Sequence, residues 1–148
     1  MKLFMKLTST IMLSILLVST NPEIYANASN VDTTFRYVLD GSDSFKTGAR
    51  EKENATSCYM YCQTSSGDYV ATVWGGHAAA QAYDCSQGYR YYFLAGYKRF
   101  MFNNVNERGF EMCLICADPN TSGTVATGLW SPDSVYQSGV RPATDYIR

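Results

Sequence analysis

Five cysteines and one histidine are the residues of this chain whose chemistry most invites a function. Cys58, Cys62, Cys85, Cys113 and Cys116 form two close pairs with a single cysteine between them. Thiols can be oxidised to disulfides, hold a metal or act as nucleophiles, and each use makes its own demand on spacing. Two residues four apart on a straight strand are separated by about 13 Å, beyond the roughly 7 Å Cα limit of a bridge. Cys58 and Cys62 therefore do not pair with each other unless a bulge or turn intervenes. Cys113 and Cys116 point to opposite faces of a strand. Bridges are expected to join the first strand pair to the last, and an odd number of cysteines leaves at least one thiol over.

A four-thiolate zinc site built from Cys58, Cys62, Cys113 and Cys116 is the sharper alternative. Such sites usually place their close pairs on tight knuckles, whereas both pairs here lie in apolar, strand-like runs. No metal and no cofactor is assigned. The third reading is buried free thiols, which behave as small hydrophobes. A thiol nucleophile needs a base, and His77, the lone histidine, is near Cys85 in sequence. His77 follows Gly75-Gly76 and reads as a loop residue. No nucleophile elbow, zinc-protease helix or phosphate-cradling glycine loop is present. The carboxylates are scattered and do not mark a pair for sugar hydrolysis. The chain is expected not to be an enzyme.

The elements that must position these residues are short strands. Phe35–Leu39 is the first apolar run, and Asp40-Gly41-Ser42-Asp43 turns the chain after it. Residues 46–54 (KTGAREKEN) mix both charges without an apolar period and read as a solvated loop. In residues 56–64, Cys58, Met60 and Cys62 share one face and Tyr59 and Tyr61 the other. Ser65-Ser66-Gly67-Asp68 reads as a hairpin turn returning through Tyr69–Trp74. Residues 77–85 are open between a short helix, favoured by three alanines, and a bent strand or loop. Tyr89–Leu94, Tyr97–Phe102, Phe110–Ala117 and Thr124–Trp130 complete the set, the last closed by Pro132. The polar tail from Ser138 is expected to be loosely held. About seven or eight short strands at this spacing predict an all-β, antiparallel sandwich or partly closed barrel.

The N-terminus reads as a signal peptide over residues 1–28. Lys2 and Lys6 precede an apolar stretch from Leu7 to Val18, Pro22 stops it, and Ala26-Asn27-Ala28 offers cleavage after Ala26 or Ala28. The apolar stretch is shorter than the roughly 20 residues that cross a bilayer, and no later segment is apolar enough to do so. The mature part, 29–148, is then one β-rich domain that is secreted. Its charge is near balance, the whole chain carrying a formal −1, which excludes nucleic acid and anionic membrane surfaces as main partners. With 12 tyrosines the chain is aromatic. Aromatic side chains left on a sheet surface would suit a cell-surface glycan or protein.

Four stretches also resemble a known family. These are Tyr59-Met60, Val73-Trp74-Gly75, the run Asn104-Val105-Asn106-Glu107-Arg108-Gly109-Phe110, and Gly128-Leu129-Trp130-Ser131-Pro132-Asp133-Ser134. Together they look like small exported proteins of Gram-positive bacteria, catalogued as a domain of unknown function. The last two stretches are the distinctive ones. The resemblance implies secretion and a surface-interaction or bacteriocin-like role. It also implies no dependence on cysteines, so the five here depart from the family pattern. Read physically, Asn104, Glu107 and Gly109 build a turn, and Pro132, Asp133 and Ser134 build another behind an anchored Trp130. The expectation is a secreted, non-enzymatic binding module, with a bacteriocin-like toxin as the alternative and a thiol-dependent enzyme third.

Overall fold

The computed structural model describes residues 30–40 and 45–147. The expected signal peptide and the core of the turn at 40–43 lie outside them. Ten strands follow in order: β1 Thr33–Leu39, β2 Phe45–Lys46, β3 Arg50–Glu51, β4 Cys58–Ser65, β5 Tyr69–Gly76, β6 Tyr83–Asp84, β7 Tyr91–Phe93, β8 Lys98–Met101, β9 Met112–Pro119 and β10 Thr124–Ser131. Three of them have only two residues each. They form two antiparallel sheets packed as a β-sandwich. The first runs β1-β10-β4-β8; the second runs β2-β9-β5-β6, with β3 also on β9 and β7 also on β5. Residues 77–85 resolve into one turn of 3-10 helix, Ala79–Gln81, and the short β6.

Alternation decides which side chains meet between the sheets. Phe35, Tyr37 and Leu39 of β1, Cys58, Met60 and Cys62 of β4, and Ala126 and Trp130 of β10 face Tyr69, Ala71 and Val73 of β5 and Cys113, Ile115 and Ala117 of β9. Aromatic rings cross the interface in series: Phe35 to Tyr37 at 4.7 Å, Tyr37 to Tyr69 at 5.7 Å, and Tyr69 stacked on Phe93 at 5.4 Å.

The chain shuttles between sheets. No two neighbouring strands of the first sheet are consecutive in sequence. The 65–68 turn is therefore not a hairpin, because β4 and β5 belong to different sheets. It is an arch, and the β9–β10 connection at 120–123 is a second arch beside it. Asp68 binds the two together, accepting from the Thr121 hydroxyl at 2.8 Å and the Asn120 side-chain amide at 3.2 Å. Those bonds favour the carboxylate and hold Asp68 below its ordinary pKa.

Two further expectations fail in informative ways. Residues 46–54 are not a solvated loop: β3 pairs with β9, and Lys52 is buried. The tail is not loose. Arg141 bonds both sides of β8 residue Arg99, with its N–H to Lys98 O at 2.9 Å and its carbonyl accepting from Phe100 N at 3.0 Å. Ile147 and Arg90 exchange backbone bonds of 2.8 and 3.1 Å. The tail is a strap that covers the open edge of β8, where an unpaired ladder would otherwise invite another strand.

Candidate functional site

The motif residues are mainly builders of the fold. In the run from Asn104 to Phe110, Gly109 takes a positive φ of 70°, a conformation that favours glycine. Val105 is fully buried and presses against Gly75 so closely that a Cβ there would lie 2.7 Å from it. Two of the resembling stretches are thus two halves of one contact. Asn104 donates its N–H to Cys85 O at 3.0 Å, and Glu107 is exposed on the turn. Gly128 sits where the β10–β4 register shifts, and a Cβ there would run into Tyr61 O and the Phe35 ring. Trp130 is buried beneath the Arg50 guanidinium, 5.7 Å from its ring, and Ser131 is buried beside it.

Asp133 does more than turn the chain after Pro132. Its Oδ1 lies 2.8 Å from Lys52 Nζ, with both side chains shut off from solvent. Lys52 also donates to Thr56 O at 2.7 Å and Pro132 O at 2.8 Å, while Asp133 Oδ2 accepts the Glu53 N–H at 2.9 Å. Every strong bonding direction of the buried ammonium has an acceptor. This knot clamps the segment before β4 to the end of β10.

All five cysteines are thiols, and all are buried. Cys58 and Cys113 meet across the sandwich with Sγ atoms 3.3 Å apart. Cys62 faces the same core but donates to Thr64 O at 3.4 Å. Cys116 is on the opposite face of β9 from Cys113, and burial pushes its thiol up to about 12. Among the described residues no three His, Cys, Asp or Glu side chains gather, so the four-thiolate arrangement is not assembled. Phe110, not Cys85, meets the His77 ring, edge-on at 5.3 Å. Cys85 lies 3.5 Å from the Arg108 guanidinium, with burial raising its pKa and that charge partly offsetting the rise.

A ligand-sized concavity among the described residues lies elsewhere. An open cleft of about 370 Å³ runs between the end of β8 and the strap, lined by Ser57, Phe100, Phe102, Ser134, Tyr136, Val140, Pro142, Ala143 and Thr144. None of these side chains is charged, and three carry a hydroxyl besides Tyr136. Its size falls in the range of roughly 300–1,000 Å³ usual for small-ligand sites. Tyr136 stands 89% exposed at this cleft. The two walls are joined from beneath by the buried Tyr91, whose Oη accepts from Phe102 N at 2.8 Å and donates to Ala143 O at 2.9 Å. Burial pushes that hydroxyl up to about 12, although the bond from Phe102 opposes the shift. On the far side of the strap, Asp145 bridges Arg99 at 2.7 Å and Arg141 at 3.1 Å. The hydrogen bond from Arg141, reinforced by Arg99, holds its carboxyl below the usual range.

Sequence reasoning missed this cleft. The available signal was Tyr97–Phe102, where Phe100 and Phe102 occupy the face opposite Met101, leaving an outward apolar pair. Val135-Tyr136, an apolar dipeptide in a polar tail, was the second clue.

A two-sheet antiparallel sandwich with one uncharged aromatic cleft defines the class of protein: a small β-sandwich whose surface offers a ligand-sized hollow. Residues 23–134 match the family described as protein of unknown function (DUF2712), and the chain belongs to that family. The match spans all ten strands and ends at Ser134, so Tyr136 and the strap wall of the cleft follow it. No curated protein and no solved structure matches the chain significantly. No helix among the described residues is long and apolar enough to cross a membrane.

Proposed function

We propose that this is a secreted, non-enzymatic binding module of a Gram-positive bacterium that attaches through the cleft to a neutral part of a cell-surface glycan or protein. The cleft carries the reading. Phe100, Phe102 and Tyr136 offer flat apolar rings, and Ser57, Ser134 and Thr144 offer hydroxyls that can donate or accept. A sugar ring or an uncharged peptide side chain fits that chemistry; a phosphate or carboxylate finds no cation among the lining residues. Export is supported by the N-terminal pattern of Lys2, Lys6, the apolar stretch and Ala26-Asn27-Ala28.

Retention of the purified protein on intact Gram-positive cells tests the reading. Protein should sediment with the cells and be released when a protease or a cell-wall hydrolase removes the receptor. Which of the two enzymes releases it separates a protein from a glycan target. Growth arrest of the bound cells would mark the bacteriocin-like alternative. Absence of retention on every cell type tried would remove the proposal.

A further inference from the structure

We propose that Cys58 and Cys113 are a disulfide-forming pair that, in an oxidising medium, covalently joins the two sheets and leaves Cys62, Cys85 and Cys116 as thiols. Three observations select this pair. Cys58 opens β4 in one sheet and Cys113 lies near the start of β9 in the other, so the bond would span the sandwich. Their sulfurs are 3.3 Å apart, already in contact, against roughly 2.0 Å in a disulfide. The remaining thiols are engaged or aimed elsewhere: Cys62 at Thr64 O, Cys85 at Arg108, and Cys116 on the other face of β9.

The surroundings also distinguish the two sulfurs in the folded state. Burial opposes ionisation of Cys58. The hydrogen bond from the Cys113 thiol and the charge of Lys52 outweigh it and hold Cys58 below an ordinary thiol, whereas burial and its neighbour push Cys113 up. With a low-molecular-weight disulfide as oxidant, the thiolate of either cysteine displaces one oxidant thiolate and forms a mixed disulfide. The other cysteine, losing its proton, then attacks the protein sulfur of that mixed disulfide and expels the second oxidant thiolate. Two protein thiols become one disulfide, and one oxidant disulfide becomes two thiols. Since both sulfurs are buried, the exchange belongs to folding, before the sheets close, or to a local opening.

The bond encloses a long loop, the two cysteines being 55 residues apart, so it should stabilise strongly. The test is refolding from denaturant with oxidised glutathione or with dithiothreitol, followed by alkylation, intact mass and peptide mapping. The oxidised protein is expected to lose two hydrogens, to expose three alkylatable thiols on denaturation, to yield a peptide linking Cys58 to Cys113, and to melt roughly 10 °C higher. Cys113→Ala should abolish the link, while the triple variant C62A/C85A/C116A should keep it. Five alkylatable thiols after oxidative refolding, or a link through any other pair, would overturn the assignment. Neither result depends on secretion or on the cleft's ligand.

Discussion

Lys52 and Asp133 lie 81 residues apart in sequence and meet as an ion pair with both side chains buried. Desolvating two charges is costly, so the value of the pair lies less in net stability than in leaving neither charge alone. Asp133→Ala should therefore destabilise by about 3–5 kcal/mol, because it strands a buried ammonium. The double variant with Lys52→Met should recover a large part of that loss. Urea unfolding of the two variants measures both effects. Sequence could not reveal this contact. Lys52 sits among Arg50, Glu51 and Glu53, and a charge surrounded by charges reads as solvated. Only the partner arriving with the Trp-Ser-Pro-Asp stretch takes it out of water. By contrast, the inward face of Cys58, Met60 and Cys62 was legible, since strict alternation over a strand names a face without reference to anything distant.

At the scale of elements, close packing between segments is built on glycines. Gly75 on β5 leaves the space that Val105 fills from the turn after β8. Gly75→Ala should cost about 1–3 kcal/mol through overpacking. Trimming the opposing side chain as well, in G75A/V105A, should cost less than the sum of the two single variants, a coupling that a double-mutant cycle reads directly. Strands and their faces were largely visible in the sequence, but their partners were not. Ser65-Ser66-Gly67-Asp68 has the composition of a hairpin turn, yet composition fixes only that the chain reverses. Whether the next strand pairs beside the last or crosses to the facing sheet is decided by which edges are already taken. Here β10 and β8 flank β4, so β5 must join the other sheet. The strap was misread for the same reason: its bonds to Lys98, Arg90 and Arg99 are made by a polar segment whose composition alone gives no sign of them.

The whole molecule is a sandwich closed by pairing β1 with β10, whose partners lie 85 to 97 residues apart in sequence. Non-local pairing of this kind predicts folding in milliseconds to seconds, slower than for local topologies. A pH limit follows from the aromatic core. Burial raises the pKa of Tyr37, Tyr69 and Tyr91, the last to about 12, whereas an unfolded tyrosine ionises near 10. Their contribution to stability is fully present below about pH 10 and is lost as pH rises past it, because only the unfolded chain can then release those protons. Alkaline titration should show tyrosinate absorbance rising in two stages, exposed rings first and buried rings together with loss of structure. A single smooth stage with structure retained would contradict that core.

The proposed binding site is the cleft, whose walls are β8 and the strap and whose rings are Phe100, Phe102 and Tyr136. The most direct measurement is the affinity of purified protein for Gram-positive cells, comparing wild type with Tyr136→Ala and Phe102→Ala at matched thermal stability. Tyr136 is almost wholly exposed, so its removal leaves the sandwich intact. If the cleft is the binding site, either variant should bind at least about tenfold more weakly, the loss expected when an aromatic anchor is truncated. Equal retention of both variants and the wild type would contradict the account, and would place the binding surface outside the cleft.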